Sequence, residues 1–336
     1  MKTILATGGA GYIGSHFVNK AKEHYRIIVA DNFRESRKNI IKHENISYSK
    51  TDIRDADALF KIFKKNKIDL VVHYAALASV PGSLETPEEY YETNIKGGLN
   101  LLSAMMRTGV KKIIFSSSAS VYGEPISEII SENHPKNPTN PYGRTKLMFE
   151  EILKDYHAAY GIHSISFRYF CASGCDESGK IGEYHTPENH VIPAIIETLL
   201  GKRDKFYVCG NDYNTKDGTG IRDYIHVNDL AEAHLSAGRM LLSGEPICEQ
   251  LNLGINKGFS VLELIAATEK ISGKKLACEF TERRPGDPSR LIANADRAQE
   301  FLHWQPRYTD ISEIIKTVYD FWTNPAFLKT RGARKK

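Results

Sequence analysis

Short apolar runs alternate with segments of helical periodicity along the first half of the chain. Between the runs, apolar positions recur at the spacing of an amphipathic helix over residues 14–23, 55–65, 88–107 and 141–160. Strands that alternate with helices predict βαβ units, in which parallel strands form a sheet with helices on both faces. The apolar runs are "KTILATG", "RIIVAD", "ISYSKTD", "DLVVHYA", "KKIIFSSS" and "HSISFRYF".

The segment 141–160 has the clearest helix ends. Pro141 suits the first helical turn, where its missing N–H removes no hydrogen bond. Asn140 stands directly before it as a candidate N-cap, and Gly161 follows the last periodic position, where helices commonly end. We therefore predict that this helix begins and ends at these residues.

The alternation stops after Tyr169. Residues 171–220 are rich in Gly, Asp, Asn and His and contain one clear helical pattern, at about 191–201. Residues 250–328 mix short strands and helices. The second half of the chain therefore predicts a smaller lobe, packed on the carboxyl edge of the sheet that the first half forms.

We predict an α/β protein with two parts. A doubly wound parallel sheet covers residues 1–170, and residues 222–252 return to it. A smaller C-terminal α/β lobe is built from residues 171–221 and 253–328. Residues 329–336 form a basic tail.

Composition indicates a globular protein and argues against a nucleic-acid partner. The chain has 336 residues, 41% of them hydrophobic and 26% charged, which allows a sizeable core. Its net charge is +4, but the last eight residues, "KTRGARKK", carry five basic groups and no acid, so the rest sums to about −1 by difference. A near-neutral body lacks the basic surface that meets phosphates in nucleic-acid binding.

Targeting signals and cysteine use favour the cytoplasm. Met1 runs directly into an apolar strand without a signal-peptide layout, and no window reaches the roughly 18 apolar residues of a membrane span. Five cysteines, an odd number, indicate free thiols in a reducing compartment. Cys171 and Cys175 are the only close pair, and their spacing is not that of a zinc knuckle. We expect a cytoplasmic protein with no membrane partner and no metal.

A glycine-rich segment, "ATGGAGYIGSH", lies between the first predicted strand and the first predicted helix. Gly8, Gly11 and Gly14 allow a tight turn, close approach of the backbone to a pyrophosphate, and close packing of the helix on the strand. The second strand ends in Asp31, 20 residues after Gly11, where a carboxylate accepts hydrogen bonds from both ribose hydroxyls of an adenosine. The combination predicts a Rossmann-type dinucleotide site, the alternative being a tight turn without a ligand.

Asp31 also predicts which dinucleotide binds. Its carboxylate would repel a 2′-phosphate, so NAD is favoured over NADP. Arg34 and Arg37 lie nearby and keep NADP open as an alternative, because a guanidinium can pair with a phosphate.

Two further strand ends are predicted to contact the cofactor. Asp52 and Ile53 follow the third strand, where an adenine edge is read. Ala75 and Ala76 follow the fourth strand, where small side chains admit the cofactor backbone. Asp52 has an alternative role as the cap of the helix that begins near Asp55. The predicted cofactor set also contains Tyr12, Ile13, Asn32, Tyr74, Thr93, Asn94 and Phe170.

A serine, a tyrosine and a lysine form the candidate catalytic set. The run "FSSSASVYG" brings Ser118 to the carboxyl edge of the sheet, and Tyr142 and Lys146 stand four apart at the start of the helix 141–160. Tyrosine has an ordinary pKa of about 10, and an adjacent Lys⁺ and a nicotinamide cation both favour the phenolate. We predict Tyr142 as general base, Ser118 as its hydrogen-bond partner on the substrate, and Lys146 as a donor to the nicotinamide ribose. The alternative is an exposed pair on a surface helix.

These motifs resemble those of the extended short-chain dehydrogenase/reductase superfamily. Within it, "GNDYNTKDGTGIRDYIHVNDLAEAH" (210–234) is similar to the long signature of UDP-galactose 4-epimerases, and "SSSASVYGE", "NPYGRTKLM", "RYF" and "RRPGD" agree in order and spacing. The resemblance covers about residues 2–322. It implies interconversion of UDP-glucose and UDP-galactose through a 4-keto sugar, tightly bound NAD, a UDP-hexose held by the smaller lobe, and a homodimer.

The resemblance also implies a set of substrate-binding residues. Arg222 and Arg284 are expected to contact the diphosphate, Asp287 the uridine ribose, and the backbone from Tyr207 to Cys209 the uracil. Arg222 has an alternative role as an ion-pair partner of Asp223, its neighbour in the sequence.

Four positions are expected to adjust the substrate site. Cys171 stands where relatives commonly have Asn, which replaces an amide by a thiol with weak hydrogen-bonding capacity. His190 replaces an Asn that faces the diphosphate, and Ala78 replaces a cofactor-facing Lys in some relatives. Leu291 bounds the sugar pocket where a Tyr would exclude a 2-acetamido group, so N-acetylated UDP-sugars are predicted as further substrates.

Other functions are compatible with parts of this pattern. A 4,6-dehydratase would carry an acid pair just after the fifth strand, and the chain has Ser117–Ser118–Ala119 there. Epimerases of UDP-pentoses or UDP-hexuronates share the motifs and remain an alternative. A catalytically inactive NAD-sensing protein would be expected to lack Tyr142 or Lys146, and both are present.

Overall fold

The computed structural model describes residues 1–36, 40–185, 188–284 and 287–325. Arg37 and the predicted basic tail 329–336 lie outside the described residues. The strands are β1 (Thr3–Thr7), β2 (Arg26–Asp31), β3 (Ile46–Lys50), β4 (Leu70–His73), β5 (Lys112–Ser118), β6 (Ile129–Ile130), β7 (His163–Tyr169), β8 (Cys171–Ser173), β9 (Phe206–Cys209), β10 (Ile221–His226), β11 (Cys248–Leu253), β12 (Gly258–Ser260), β13 (Cys278–Thr281) and β14 (Arg290–Ala293).

The helices follow the periodic segments of the sequence. They are α1 (Tyr12–Ala21), α2 (Ala56–Lys65), α3 (Val80–Glu85), α4 (Pro87–Tyr90), α5 (Gly97–Thr108), α6 (Pro141–Tyr160), α7 (Val191–Leu199), α8 (Val227–Ser243), α9 (Val261–Ser272), α10 (Asp296–Leu302) and α11 (Ile311–Thr323). A π-helical segment, Tyr91–Lys96, joins α4 to α5, and a single 3₁₀ turn spans Ala119–Val121. In the part of the chain just described, no helix has the length and apolarity needed to cross a membrane.

A seven-stranded parallel sheet forms the larger part of the molecule. Its order is β11-β7-β5-β4-β1-β2-β3, so the chain winds outward from β1 in one direction and then resumes on the other side at β4. Successive residues of β1 enter opposite cores: Ile4 and Ala6 face the layer of α1 and α8, whereas Leu5 faces the layer of α2, α5 and α6. The predicted doubly wound sheet is confirmed, and all of its six predicted strands are present.

The helix α6 has the predicted ends. The Asn140 side chain accepts a hydrogen bond from the N–H of Gly143 at 2.8 Å, which satisfies one of the free donors of the first turn. Gly161 closes the helix with φ of +66°, a left-handed conformation that glycine adopts without steric cost. These two residues fix the ends of α6 and therefore the positions of Tyr142 and Lys146 in its first two turns.

The smaller part contains two short sheets. One has the order β12-β10-β14-β6, with β8 also paired to β10, and the other pairs β13 with β9. The helices α7, α9 and α11 pack beside these sheets, and Trp322 of α11 is fully buried there. The core that lines α1 and α8 continues into this part, so the lobe is packed directly on the wound sheet.

The chain returns to the main sheet later than predicted. The helix α8 packs on α1 and β11 pairs with β7, whereas β10 pairs in the smaller sheet. Asp223 at the centre of β10 explains this placement, because its buried carboxylate accepts hydrogen bonds from the backbone of Ile255 and Ala293 in the smaller part. The return therefore begins at Val227. In addition, β6 belongs to the first half of the chain but pairs with β14 in the smaller part.

Candidate active site

The glycine loop connects β1 to α1 at the point where the sheet reverses its winding. A Cβ at Gly8 would lie 2.5 Å from the backbone N of Ala75, and one at Gly14 would lie 2.5 Å from the carbonyl of Gly8. The loop therefore has to lie flat against the end of β4 and the first turn of α1. Gly11 precedes this helix, and no side chain caps it. The first-turn N–H groups, from Tyr12 onward, are left for an anionic ligand such as a pyrophosphate.

Asp31 lies beside this loop at the end of β2. Its buried carboxylate accepts hydrogen bonds from the N–H of Ala10 at 3.1 Å, from the N–H of Phe33 at 2.8 Å and from the Ser36 hydroxyl at 2.9 Å. These contacts hold a carboxylate next to the uncapped helix end, and a carboxylate is the acceptor that the two hydroxyls of an adenosine ribose require. Arg34, which kept NADP open, pairs with Glu89. The residues present therefore fit NAD.

Asp52 is held by Arg54 and Asn32. It accepts two hydrogen bonds from the Arg54 side chain, at 2.8 and 3.0 Å, and one from the Asn32 amide at 3.2 Å. The Arg54 hydrogen bonds hold the pKa of Asp52 well below its usual range. The alternative role of Asp52 as a helix cap is wrong, because the Asp55 carboxylate caps α2 through the N–H of Ala58 at 2.9 Å.

The π-helical segment carries Thr93 and Asn94. The Asn94 amide accepts from the N–H of Leu77 at 2.8 Å and donates to the Leu77 carbonyl at 3.1 Å and to the Thr145 hydroxyl at 3.0 Å. Its side chain thus ties the segment after β4, which contains Ala75 and Ala76, to α6. We had predicted one helix over 88–107. The π segment interrupts it, a distortion that is common at functional sites.

The remaining predicted cofactor residues surround the same edge. The Tyr12 hydroxyl donates to the Gly174 carbonyl at 2.7 Å, which joins the glycine loop to the segment after β8. Ile53 packs on Gly97 at the start of α5, and Phe170 is buried beside Ala119. Ile13 and Tyr74 are partly buried against the core of α1 and α8.

Ser118, Tyr142 and Lys146 converge where β5 and α6 meet. Ser118 forms a side-chain hydrogen bond with Tyr142, and its hydroxyl accepts from the N–H of Ser120 at 3.1 Å. The Lys146 ammonium donates to the Ser116 carbonyl at 2.7 Å and lies 5.7 Å from the centre of the Tyr142 ring. The tyrosine, the lysine and the serine that the sequence predicted therefore occupy one site.

Burial dominates the ionisation of this set. Burial raises the pKa of Tyr142, and the hydrogen bond from Ser118 opposes the rise. Burial lowers the pKa of Lys146 to about 7, and the nearby Glu150 opposes that fall. Burial of the Tyr142 hydroxyl outweighs the hydrogen bond from Ser118. The predicted fall in the pKa of Tyr142 depends on a nicotinamide cation as well as on Lys146, and it stays a prediction. The proton on Tyr142 therefore requires a further positive charge to leave, and a nicotinamide cation has that charge.

A buried ion pair behind the catalytic set was missed by the sequence analysis. Both oxygens of Glu150 are bound by Arg168 of β7, at 2.6 and 3.0 Å, and both side chains are almost fully buried. Ser117 of β5 also donates to Glu150, and Arg168 donates to the Tyr122 hydroxyl at 2.9 Å. Glu150 lies one helical turn after Lys146, and this spacing was the available signal.

Two predicted substrate residues meet in the smaller lobe. Arg222 of β10 forms an ion pair with Asp287, and its guanidinium also donates to the Ile221 carbonyl at 2.7 Å. The alternative pairing of Arg222 with Asp223 is wrong, because Asp223 points into the lobe core and bonds main-chain N–H groups. In the β10–β14 register Arg222 lies beside Leu291, which packs on the cluster of Ala119 and Phe170.

Cys171 and His190 occupy different environments. Cys171 lies in β8, and burial raises the pKa of its thiol to about 12, so it stays protonated. His190 precedes α7 with a half-exposed side chain, and Glu183 and Glu188 raise its pKa to about 9.

The other predicted substrate residues lie at the outer edge of the lobe. Tyr207 and Cys209 belong to β9, which pairs with β13, and the side chain of Tyr207 is exposed. Arg284 is exposed, and its carbonyl accepts from the N–H of Asp287 at 3.1 Å, while Ala78 is exposed after β4. The structure brings Arg222, Asp287 and Leu291 together, whereas the roles of Tyr207, Cys209 and Arg284 stay predictions.

Comparison with known proteins agrees with this geometry. The sequence profile of a family described as GDP-mannose 4,6 dehydratase matches residues 5–318. The UDP-glucose 4-epimerase of Lacticaseibacillus casei is 42% identical over 325 residues, which are 96% of this chain and 97% of that protein.

Solved structures are similar over almost the whole chain. The UDP-glucose 4-epimerase from Bifidobacterium longum in complex with NAD⁺ and UDP matches with a TM-score of 0.90 and 36% identity, over 97% of this chain and 99% of that one. The UDP-Glc/GlcNAc 4-epimerase from Campylobacter jejuni matches with a TM-score of 0.84 and 38% identity, over 96% and 99% of the two chains.

The Glu150–Arg168 pair predicts a large effect on stability. Arg168→Met leaves the Glu150 carboxylate buried without its partner, so the free energy of unfolding should fall by about 3–5 kcal/mol in chemical denaturation. Adding Glu150→Leu removes the unpaired charge and should restore part of that loss. As a control, Lys96→Met breaks the exposed pair with Glu92 and should cost no more than about 0.5 kcal/mol. Equal losses in Arg168→Met and Lys96→Met would contradict the importance of this pair.

Proposed function

This chain belongs to the UDP-glucose 4-epimerases, and from that membership and its site we propose how it inverts C4′ of a UDP-hexose. The reaction is the reversible interconversion of UDP-glucose and UDP-galactose. The observation that carries the proposal is that Ser118, Tyr142 and Lys146 meet beside the glycine loop and Asp31. Bound NAD supplies reversible hydride acceptance, which carries the hexose through a 4-keto sugar. The protein has to move the proton and hold the UDP.

Tyr142 is the group that moves the proton. In its phenolate form, Tyr142 can take the proton of a C4′ hydroxyl that joins its pair with Ser118 and become a neutral phenol, and it can return that proton later. Lys146 is anchored on the Ser116 carbonyl at 2.7 Å and remains close to the ring of Tyr142. From there its ammonium can donate to ribose hydroxyls and stabilise the phenolate. Asp31 and the uncapped end of α1 bind the opposite half of the cofactor.

The smaller lobe is proposed to hold the UDP. Arg222 supplies a guanidinium for the diphosphate, and Asp287, which pairs with it, supplies a carboxylate for the uridine ribose. Their ion pair sets the orientation of both groups before the substrate binds. Arg284, His190 and the backbone at 207–209 complete the proposed UDP site. If UDP is held at this end, the hexose is free to turn either face of its C4′ atom toward the cofactor.

Dehydration is disfavoured at this site. The end of β5 and the residue after it, where a 4,6-dehydratase would carry acids, hold Ser117, Ser118 and Ala119. Ser117 donates to the buried Glu150, and Ser118 bonds Tyr142. Neither hydroxyl is placed as a free acid. Epimerases of UDP-pentoses or UDP-hexuronates would use the same catalytic set, and assays with those sugars separate them from the proposed activity.

The role of Tyr142 is tested by removing its hydroxyl. Tyr142→Phe should lower turnover of UDP-galactose to UDP-glucose by at least about a hundredfold, the usual scale for loss of a general base, and should leave bound NAD and the unfolding temperature unchanged. Tyr160→Phe is the matched control, since Tyr160 is exposed at the other end of the same helix. Normal turnover in Tyr142→Phe would overturn the assignment of the base.

We also propose that the enzyme accepts N-acetylated UDP-sugars. Leu291 packs on Ala119 and Phe170 beside the catalytic edge, and a leucine there leaves more room than a tyrosine. The similarity to an epimerase described as acting on UDP-Glc and UDP-GlcNAc supports this extension.

The pocket argument predicts a selective loss. Leu291→Tyr should abolish conversion of UDP-N-acetylglucosamine and keep conversion of UDP-glucose within about threefold, because a steric block discriminates by bulk and leaves the catalytic groups in place. Both rates are measured on the same protein preparation. If wild type converts only the plain hexoses, or if both rates fall together in the variant, the proposal is wrong.

A homodimer in the cytoplasm is proposed as the working state. The five cysteines are all free thiols, which agrees with a reducing compartment. The helices α5 and α6 lie side by side, since a Cβ at Gly98 would lie 2.3 Å from the Phe149 ring. Their outer surface exposes Leu99 and Met148. An exposed apolar pair on adjacent helices suits a self-complementary interface.

The interface predicts a change in mass. Replacing Leu99 and Met148 together by Glu should convert a dimer to a monomer in size-exclusion chromatography with light scattering, because the charges would be buried unpaired. Ile126→Glu, at an exposed isoleucine away from these helices, should leave the mass unchanged. A monomeric wild type, or a dimer that persists in the double variant, would refute this interface.

A further inference from the structure

Four side chains with metal-binding donor atoms converge between β8 and α7. They are Glu183, His185, Glu188 and His190, and one donor atom of each lies within 4.8 Å of the others. All four come from a stretch of eight positions. The prediction of no metal rested on the spacing of the cysteines alone and did not cover these four residues. Nothing in the proposed reaction requires Glu183, His185 or Glu188.

The cluster contains two carboxylates that are almost completely buried. The side chains of Glu183 and Glu188 are only 4% and 1% exposed. Within the described ranges, no Lys or Arg pairs with either carboxylate, and imidazoles are their charged neighbours. Arg203 approaches, but it bonds the main-chain carbonyl of Glu188 and the carboxylate of Glu197. Two buried carboxylates in one place are costly unless a cation compensates them.

The donor separations match those of a small metal ion. The Nδ1 atom of His190 lies 2.9 Å from Glu188 and 3.1 Å from Glu183, and the Nδ1 atom of His185 lies 3.6 and 3.7 Å from the same two carboxylates. Tetrahedral zinc with bonds of about 2.0–2.1 Å holds its ligands about 3.4 Å apart. These four separations lie near that value, and the donor atoms of all four residues lie within 4.8 Å of one another, so a tetrahedral site requires the side chains to close around the ion.

The Nδ1 atom of His185 is a second, independent observation. It is buried and has no hydrogen-bond partner among the described residues, and the two nearest carboxylates are beyond hydrogen-bond length. Contacts of this length recover only part of the hydration that the buried nitrogen loses. A cation between the four side chains would give this nitrogen a lone-pair acceptor and neutralise the carboxylates at the same time.

We propose that Glu183, His185, Glu188 and His190 bind one zinc ion. Two imidazoles and two carboxylates are donors that zinc accepts, and four protein ligands without an open position are typical of a structural site. A metal on Nδ1 of His190 leaves its Nε2 as an N–H donor, oriented by the metal. If the proposed diphosphate role of His190 holds, the ion would fix that donor. The binding of zinc itself does not depend on the proposed function.

The test measures zinc binding by the full-length protein. Protein treated with a chelator and then dialysed is titrated with Zn²⁺ against a chromophoric competitor, and bound zinc is counted by elemental analysis. Wild type should bind one zinc per chain and show a higher unfolding temperature with zinc, because a ligand that binds only the folded state stabilises it. His185→Ala should weaken binding by at least about a hundredfold, since even partners behind the ligands contribute about 10–100-fold.

Further variants separate a built site from adventitious zinc. Glu188→Gln, which keeps the size of the side chain, should also abolish the one-to-one binding and the thermal shift. His43→Ala is the matched control, because His43 lies 3.5 Å from the exposed Glu23 in a similar contact outside the cluster, and it should bind like wild type. No zinc on wild type, or full binding by His185→Ala and Glu188→Gln, would overturn the proposal. Since neither readout involves epimerase activity, failure here leaves the proposed function standing.

Discussion

The buried ion pair between Glu150 and Arg168 is the interaction on which the geometry of the catalytic edge depends. It joins α6 to β7, and Ser117 extends it to β5, so the three elements that surround the active site are tied together in the core. Removing either side chain would leave the other charge unpaired in the buried core, which is costly. The pair therefore resists small displacements. Lys146 lies one turn and Tyr142 two turns before Glu150 on the same helix. Two contacts on α6 therefore fix their position relative to the sheet edge: the Glu150–Arg168 pair on the C-terminal side and the Asn140 cap on the N-terminal side.

The same edge has to serve two ligands with opposite needs. The cofactor side is tightly connected. The glycine loop lies against the end of β4, and Asp31 and Asn94 form hydrogen bonds with the backbone and with the hydroxyls of Ser36 and Thr145. A dinucleotide that stays bound through the reaction requires this kind of preorganised site. The substrate side has fewer fixed contacts: Arg222 pairs with Asp287, and Leu291 lies beside Arg222 in the neighbouring strand. The proposed reaction needs UDP to be held firmly and the hexose loosely, so that the sugar can present both faces.

Charge in the lobe is organised differently from charge in the wound domain. Around the catalytic set the buried carboxylate is matched by a guanidinium, whereas Glu183 and Glu188 are matched by histidines alone among the described residues. Histidine can lose its proton to solvent and then bind a metal, whereas arginine stays protonated and cannot. The Glu150–Arg168 pair therefore keeps its charges at any ordinary pH. The cluster of glutamates and histidines can release protons and bind a metal cation in their place. His190 belongs to both the cluster and the proposed UDP site, which would link the state of the cluster to the position of the diphosphate.

The sequence by itself determined the wound sheet, the ends of α6 and the three residues that are proposed as the catalytic set, because these follow from local rules. Strand periodicity, capping at Asn140 and Gly161, and the spacing of Tyr142 from Lys146 are properties of neighbouring residues. Only the tertiary structure decided what depends on residues far apart in the chain: Asp287 as the partner of Arg222, the backbone contacts of Asn94, and the placement of β10 in the smaller sheet. The pKa of Tyr142 belongs to this second group as well. A short motif shows which charges are near a group but not how much water the fold removes from it, and this burial raises the pKa of Tyr142.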